Sequence, residues 1–257
     1  MKVLHIDYSL PNIKIAFLSD LHNQELSSIV EIIKKENVDY ICIVGDIFER
    51  CDQGKDPRMS QMSLLGLIAH GFHVVLRIFF RKKLDGDDAH TFKLLKDLSN
   101  IAPVIISRGN HEWYYKESDL SFLQENHIIL LDNEYITING ICFGGLSSKY
   151  DLDMLKRYEK EDDYKILLCH HPEYYPMIQD YNIDLILSGH AHGGQIKLLN
   201  RGLYAPGQGL FPKYTLGLYD HMLVSNGLAN TFKIPRINNE ESFFIIENKG
   251  EYYDPTN

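Results

Sequence analysis

Five apolar, β-prone segments of this chain each end in a short cluster of acidic, histidine or amide residues. The clusters are Ser19-Asp20-Leu21-His22, Gly45-Asp46, Gly109-Asn110-His111-Glu112, Cys169-His170-His171-Pro172 and Ser188-Gly189-His190-Ala191-His192. In an open α/β sheet the ligand site lies outside the carboxyl ends of the strands. The five clusters, although far apart in sequence, are therefore predicted to converge on one patch of the folded protein.

The spacing of apolar residues between these segments indicates alternating strands and helices. Residues 25–36 carry apolar side chains at helical spacing between predicted strands at 13–18 and 40–44, which together make a βαβ unit. Residues 152–160 repeat the helical pattern, and residues 173–180 follow Pro172, a favourable position for a helix to begin. The chain is therefore predicted to belong to the α/β class.

Two regions depart from this alternation. Residues 134–143 are predicted to form a hairpin around Asn139-Gly140, and the late apolar segments 221–225 and 242–247 are predicted to add antiparallel strands. No internal repeat or long linker divides the sequence. A single domain covering residues 1–257 is the simplest interpretation.

Composition excludes some classes of protein. Of 257 residues, 26 are Lys or Arg and 35 are Asp or Glu, so the formal charge of −9 argues against a general nucleic-acid binder. An apolar fraction of 44% predicts a globular protein with a sizeable core. No stretch reaches the roughly 18 to 20 apolar residues of a membrane-spanning helix.

The beginning of the chain and its cysteines bear on location. The first residues combine Asp7 and Pro11 with a single lysine, so neither a signal peptide nor an anchor is expected there. The four cysteines form no CxxC pair, and three of them lie within apolar segments. A disulfide framework is therefore not expected, and a cytoplasmic location is predicted.

The side chains of the five clusters are typical metal ligands. Carboxylates, imidazoles and a carboxamide suit Zn, Mn or Fe better than an all-oxygen Ca or Mg site. The candidate ligands are Asp20, His22, Asp46, Asn110, His170, His190 and His192. Seven ligands are too many for one four-coordinate ion but suit two ions that share a carboxylate, for which Asp46 is the natural bridge. Two divalent ions would outweigh two carboxylates and a bridging hydroxide, so the site would attract phosphate.

The order D-x-H, G-D, G-N-H-[DE], H and G-H-x-H resembles the signature of the calcineurin-like metallophosphoesterases. The resemblance implies a two-sheet sandwich flanked by helices. It also implies that Asp20, His22, Asp46 and His192 hold one ion and that Asp46, Asn110, His170 and His190 hold the other. His111 would be unliganded and catalytic. Family members place the ligand two residues before a proline in such a segment, which favours His170, with His171 as the alternative.

A closer resemblance links residues 189–198, 205–207 and 211–214 to the bacterial branch related to UDP-diacylglucosamine hydrolases. Many members of that branch begin with a membrane or export segment, which this sequence does not show. Arg108, directly before Gly-Asn-His, occupies a position that is often uncharged. We expect Arg108 to contact a substrate phosphate; the alternative is a strand-end arginine paired with a nearby carboxylate.

The resemblance implies a metal-dependent phosphohydrolase that uses two divalent ions and a bridging hydroxide to cleave a phosphoester or pyrophosphate bond, with phosphodiesterase-type specificity. Manganese is the expected metal, with iron and zinc as alternatives. The expected substrate is a phosphate-containing small molecule or a lipid-linked phosphate. Two other functions stay open: a metal-holding binding or scaffold module, and a peripheral membrane protein.

An insertion follows the second cluster. The 57 residues between Asp46 and Val104 exceed what one crossover helix requires, which predicts a helical insertion around residues 52–100. Within it, residues 59–83 form an apolar segment with a basic end. This segment could lie at a membrane surface. The alternative is a helix pair packed on the domain with a solvated basic edge.

Overall fold

Two six-stranded sheets form the centre of the molecule in a computed structural model that describes residues 1–51, 87–199, 201–230 and 235–249. In spatial order, the first sheet contains β1 (Lys2–Asp7), β16 (Ser242–Glu247), β2 (Lys14–Ser19), β3 (Tyr40–Val44), β4 (Val104–Ser107) and β5 (Ile129–Leu131). The second contains β14 (Gly217–Tyr219), β15 (Met222–Val224), β9 (Leu185–Ser188), β8 (Tyr164–Cys169), β7 (Ile141–Leu146) and β6 (Glu134–Ile138).

Helices and short ribbons complete the described part of the chain. The helices are α1 (Ser28–Glu36), α2 (Asp88–Ser99), α3 (Glu117–Glu125), α4 (Leu152–Tyr158) and α5 (Tyr175–Ile178). Single turns of 3₁₀ helix span Pro172–Tyr174 and His192–Gly194. Two antiparallel ribbons follow, formed by β10 (Lys197–Leu198) with β11 (Arg201–Gly202) and by β12 (Tyr204–Ala205) with β13 (Gly209–Leu210).

The apolar strands are buried on both faces, which produces a four-layer arrangement. In β2, Phe17 points between the two sheets and packs in the same cluster as Phe143, whereas Leu18 points outward beneath helices α1 and α2. The outer face of the second sheet is covered by α4, which buries Tyr158. The predicted α/β fold, a two-sheet sandwich flanked by helices, is confirmed.

The local predictions hold with one correction. The hairpin at Asn139-Gly140 joins antiparallel strands β6 and β7, and α1 falls within the predicted helix at 25–36. The late segments, however, are not purely antiparallel: β16 pairs antiparallel with β2 but parallel with β1, and β15 pairs parallel with β9. For β15 the reason is the hairpin that joins it to β14. Strand β14 runs antiparallel to β15, so the turn between them brings the chain back to the direction of β9.

The predicted insertion is described only at its C-terminal end. Helix α2 occupies Asp88–Ser99, whereas residues 52–86, and with them the apolar segment 59–83, lie outside the described residues. The division of the chain into a single domain stays a prediction. Among the helices that the structure describes, none combines the length and apolarity needed to cross a membrane.

A buried ion-pair network fixes the loop after β3. The Arg50 guanidinium donates to the Asp119 carboxylate at 2.7 and 2.8 Å and to the Asp88 carboxylate at 2.8 Å through each terminal nitrogen. Its side chain is only 2% exposed, so these carboxylates replace the water that it lost. Because Asp119 lies on α3 and Asp88 begins α2, the loop is held against both helices.

Breaking this network should destabilise the fold. Asp119→Ala removes the more deeply buried of the two carboxylates that bind the Arg50 guanidinium. We expect a loss of about 3–5 kcal/mol in the free energy of unfolding, measured by urea denaturation. The matched control is Asp153→Ala, which removes an exposed carboxylate paired with Lys156 and should leave stability nearly unchanged. Equal losses in the two variants would contradict this account.

Candidate metal centre

The five polar clusters meet at one edge of the sandwich. Strands β2, β3 and β4 of the first sheet end there and present Asp20, Asp46 and Asn110. Strands β8 and β9 of the second sheet end at the same edge and present His170 and His190. Backbone hydrogen bonds tie neighbouring loops together, from Asp20 N to Gly45 O at 3.2 Å and from Gly189 N to His170 O at 3.1 Å. The predicted convergence is therefore observed, with its contributions divided between two sheets.

Most of the candidate ligands sit on sharply turned backbone. Five non-glycine residues of the set have φ values between 43° and 64°, in the left-handed region: Asp20, His22, Asp46, His190 and His192. Asp and His adopt this region more readily than most residues. Such conformations persist where the surrounding structure holds them, and they concentrate at functional sites. Here they turn the side chains inward directly after each strand.

Two glycines permit the close approach of the loops. A Cβ on Gly45 would lie 2.5 Å from the Nδ1 atom of His170, and φ of this glycine is +66°. A Cβ on Gly227 would lie 2.7 Å from the Cβ of Asp20, with φ of +74°. Any larger residue at either position would push the two sheets' loops apart.

The ligand atoms form two groups that meet near Asp46. One group contains Asp20, His22 and His192, and the other contains Asp46, His170 and His190. The Oδ2 atom of Asp46 lies 3.7 Å from His22 Nε2 and 3.2 Å from His170 Nε2. In the first group, His192 Nε2 lies 3.5 Å from Asp20 Oδ1. Two atoms that bind the same ion, each at about 2.1 Å, can be no more than about 4.2 Å apart. The separations given above therefore fit metal coordination.

Two buried polar atoms without a hydrogen-bond partner in the described part of the chain also indicate a metal site. Among the described residues, the buried atoms His22 Nε2 and Asn110 Oδ1 have no hydrogen-bond partner. The opposite nitrogen of His22 contacts Glu49 at 2.6 Å, and Nδ1 of His170 contacts the Val44 carbonyl at 2.9 Å. With Nδ1 protonated, each ring keeps its Nε2 lone pair for the centre, as metal-ligating histidines do. The donor set therefore fits divalent metal ions.

The pKa values reflect a strong negative potential at Asp46. Burial lowers the pKa of the His170 imidazole, but the Asp46 carboxylate, together with Asp20 and the Val44 carbonyl, outweighs burial and raises the pKa to about 9. His192 behaves differently, because burial lowers its pKa to about 3 against the opposing effect of Asp20. The Arg236 guanidinium, whose Nη2 lies 3.3 Å from His192 Nδ1, adds to that decrease through its positive charge. His192 is therefore neutral, the form that binds metals.

Sequence reasoning missed two carboxylates around the ligands. Glu49 contacts Nδ1 of both His22 and His111, at 2.6 and 2.9 Å, and no strand-end motif marked it. Glu112 was visible only as the last residue of the third cluster. Its carboxylate accepts backbone N–H groups of Asp46, Phe48 and Gly109 at 3.0, 2.7 and 2.8 Å, which joins the second cluster to the third. Burial and the charge of Asp46 raise the pKa of Glu112 to about 7.

The two candidate histidines of the fourth cluster lie in different surroundings. His170 faces Asp46, whereas His171 contacts Ser148 Oγ at 2.7 Å and Glu173 Oε1 at 3.1 Å. This placement supports the choice of His170, which stays a prediction.

His111 lies at the rim of the candidate metal centre, with its Nε2 3.8 Å from Asp46 Oδ2 and a side chain that is 12% exposed.

Arg108 makes the contacts of a strand-end arginine. Its Nη1 donates to Asp132 at 2.7 Å, and its other nitrogens donate to the carbonyls of Glu112 and Trp113. These contacts correspond to the alternative interpretation, and substrate contact by Arg108 stays a prediction. The residue also lines a cavity of about 290 Å³ that extends from Asn110 to Lys149.

Removing the charge of Glu49 should weaken metal binding. In Glu49→Gln the carboxylate that orients His22 is lost, and we expect metal affinity to fall about 10–100-fold, measured by calorimetric titration of the metal-stripped protein with Mn²⁺. Glu31→Gln, an exposed position on α1, is the control and should bind as the wild type does. Unchanged affinity in Glu49→Gln would show that His22 does not depend on this carboxylate.

Comparisons with known proteins show several bacterial relatives of this chain. An uncharacterized metallophosphoesterase of Helicobacter pylori is 26% identical over 238 residues, which cover 85% of this chain and 53% of that protein. The uncharacterized protein YpbG of Bacillus subtilis is 33% identical over 155 residues, covering 56% of this chain and 58% of its own. The uncharacterized metallophosphoesterase YkoQ of the same organism is 26% identical over 199 residues, which cover 72% of this chain and 62% of that protein. The chain thus spans less than two thirds of the length of these relatives.

Solved structures of similar fold include TT1561 of Thermus thermophilus, with a TM-score of 0.46, 14% identity, and coverage of 70% of this chain and 82% of that one. YfcE, a phosphoesterase from E. coli, has a TM-score of 0.40 and 12% identity, with coverage of 90% and 86%. The family model for calcineurin-like phosphoesterases matches residues 13–194, the part of the chain that carries all five clusters. The chain therefore belongs to the calcineurin-like phosphoesterase family.

Proposed function

We propose that this protein is a phosphohydrolase that uses two divalent ions to cleave a phosphoester or pyrophosphate bond, with phosphodiesterase-type specificity. The observation that carries the proposal is the position of Asp46, whose Oδ2 atom lies within 3.7 Å of imidazole nitrogens from both ligand groups. A carboxylate placed in this way can bridge two ions. We further propose, as the family resemblance implies, that Asp20, His22, Asp46 and His192 hold one ion and that Asp46, Asn110, His170 and His190 hold the other.

The surroundings of the centre determine which substrates suit it. Two divalent ions carry more charge than Asp20 and Asp46, the carboxylates that would hold them, so the ions would bind the oxygens of an anionic phosphate directly. Asn110 would add a neutral oxygen ligand, which cancels none of that charge. Manganese is the proposed metal, with iron and zinc as alternatives, because the donors are nitrogen and oxygen atoms without thiolates. When bound, the two ions supply Lewis acidity and lower the pKa of a shared water.

His111 has the position of a proton donor. Its backbone N–H donates to Asp46 Oδ1 at 2.8 Å, which fixes the residue beside the centre. Glu49 contacts Nδ1 of the ring and so orients Nε2 towards the space above Asp46. A leaving-group oxygen in that space would lie within reach of the ring, and an imidazole is well suited to protonate it at neutral pH.

Activity and metal content should be lost together. The full chain loaded with Mn²⁺ should hydrolyse bis(p-nitrophenyl) phosphate, and removal of the metal with a chelator should reduce turnover to the background rate. Asp46→Asn should lower both metal content, measured by mass spectrometry of the metal, and turnover. Asp153→Asn, an exposed carboxylate on α4, should change neither. Full metal occupancy in Asp46→Asn would rule out the bridging assignment.

The role of His111 predicts a dependence on the leaving group. His111→Ala should reduce hydrolysis of a diester with an aliphatic leaving group by about 10²–10⁴-fold, because a poor leaving group needs protonation. Hydrolysis of the p-nitrophenyl ester, whose leaving group needs no proton, should fall much less. Metal content should match the wild type. An equal loss on both substrates would assign His111 to binding or positioning.

These measurements also separate the alternatives. A metal-holding binding or scaffold module would retain its metal and show no turnover of any phosphoester. A small-molecule or lipid-linked phosphate is the proposed substrate class, and a panel that includes a UDP-sugar lipid tests the proposed branch. Membrane contact through residues 59–83 stays a separate proposal, since that segment lies outside the described residues.

A further inference from the structure

The most exposed apolar side chains of the described residues lie on the two small ribbons. Leu198, Leu199, Leu210 and Phe211 are 68%, 92%, 60% and 70% exposed, whereas no other large apolar side chain in the described part of the chain exceeds 47%. Single exposed apolar residues are ordinary, but a concentrated set indicates an interaction site. We call these four residues, together with the exposed Leu203, the ribbon surface.

The ribbon surface is one structural unit that lies beside the metal centre. Phe211 N donates to Leu203 O at 2.9 Å, which connects the end of β13 to the segment between β11 and β12. Leu203 N in turn contacts Gly194 O at 3.1 Å. A Cβ on Gly194 would collide with the backbone of Gly202. The ribbons therefore rest directly on the turn that contains His192.

Turn geometry does not account for the residues that directly follow β10 and β13. Leu199 has φ of 49° and Phe211 has φ of 54°. Positions of this kind favour Gly, Asn or Asp, which tolerate the left-handed region at little cost. Large apolar residues at two exposed left-handed positions therefore require an explanation outside the turns themselves.

The segment that carries the ribbon surface has a charge opposite to that of the whole chain. Residues 185–219 contain no Asp or Glu, although the chain as a whole has a formal charge of −9. The same segment contributes Lys197, Arg201 and Lys213, of which Arg201 and Lys213 are exposed. The Glu173 carboxylate, from outside the segment, packs against Gly207 in the turn between β12 and β13. Exposed apolar side chains and exposed cations therefore occur on one segment that itself carries no carboxylate.

We propose that the ribbon surface attaches the protein to an anionic lipid bilayer. Leu199 and Phe211 would enter the boundary between headgroups and acyl chains, while Arg201 and Lys213 contact lipid phosphates. Exposed leucine and phenylalanine side chains combined with exposed cations are typical of segments that lie at an anionic membrane surface. The ribbons would then hold the metal centre next to the membrane. Attachment does not require hydrolysis, so it stands or fails independently of the proposed function.

Cosedimentation of the full chain with phosphatidylcholine vesicles, with and without phosphatidylglycerol, tests the proposal. The wild type should bind the anionic vesicles and bind neutral ones weakly. The double variant Leu199→Ser/Phe211→Ser should partition at least about 10-fold less, because two inserting side chains are lost. Arg201→Gln/Lys213→Gln should lose the preference for anionic vesicles. The control Leu120→Ser/Ile136→Ser, which removes exposed apolar side chains elsewhere, should bind as the wild type does.

Thermal unfolding and light scattering accompany each variant, so that binding is compared only between folded proteins of known oligomeric state. Absence of wild-type binding to anionic vesicles would overturn the proposal. Wild-type binding that survives Leu199→Ser/Phe211→Ser would overturn it as well, and would assign membrane contact to another segment. A double variant that changes the oligomeric state and leaves vesicle binding intact would make the ribbon surface a contact between copies of the chain.

Discussion

Burying the Asp20 and Asp46 carboxylates requires positive charge, and the edge of the sandwich is arranged around that requirement. Both side chains are almost fully buried, where an uncompensated carboxylate is very costly. Imidazoles surround them, and the two carboxylates together with the Val44 carbonyl raise the pKa of His170 to about 9 even though burial acts in the opposite direction. The proposed pair of divalent ions would satisfy the same requirement with more charge than protons supply. The imidazoles and the sharply turned loops at this edge are consistent with this one constraint.

The loops that hold these carboxylates are themselves fixed by buried polar groups. Glu112 binds the backbone N–H groups that follow β3, so the second and third clusters keep one relative position. Arg50 connects the same loop to α2 and α3 through two carboxylates. A site that must place ligand atoms within a fraction of an ångström needs such support, because the ligands lie on loops instead of within strands. The helices therefore contribute to the metal centre without touching it.

Much of the fold could be predicted from local pattern. Parallel strands buried on both faces produce continuous apolar runs, and α1 shows its one-sided apolar spacing plainly. The pairing of the late strands could not be predicted, because the direction of β15 depends on a hairpin with β14 and not on its own residues. At the site, motif residues were visible as sharp changes from apolar to polar at strand ends. Glu49 lacked that signal, since its role depends on which histidines the fold brings to it.

The sequence by itself determined which candidate ligand types this protein offers, their order along the chain, and the strand ends that present them. Those properties are local, since each depends on a few neighbouring residues. Only the tertiary structure decided that the ligands come from two sheets, that His170 and not His171 faces Asp46, and that Arg108 is paired with Asp132. It also decided that the two ribbons of the carboxylate-free segment 185–219 lie against the turn of His192 and leave four large apolar residues mostly exposed. These outcomes depend on distances between residues far apart in the chain, which packing sets and local pattern does not encode.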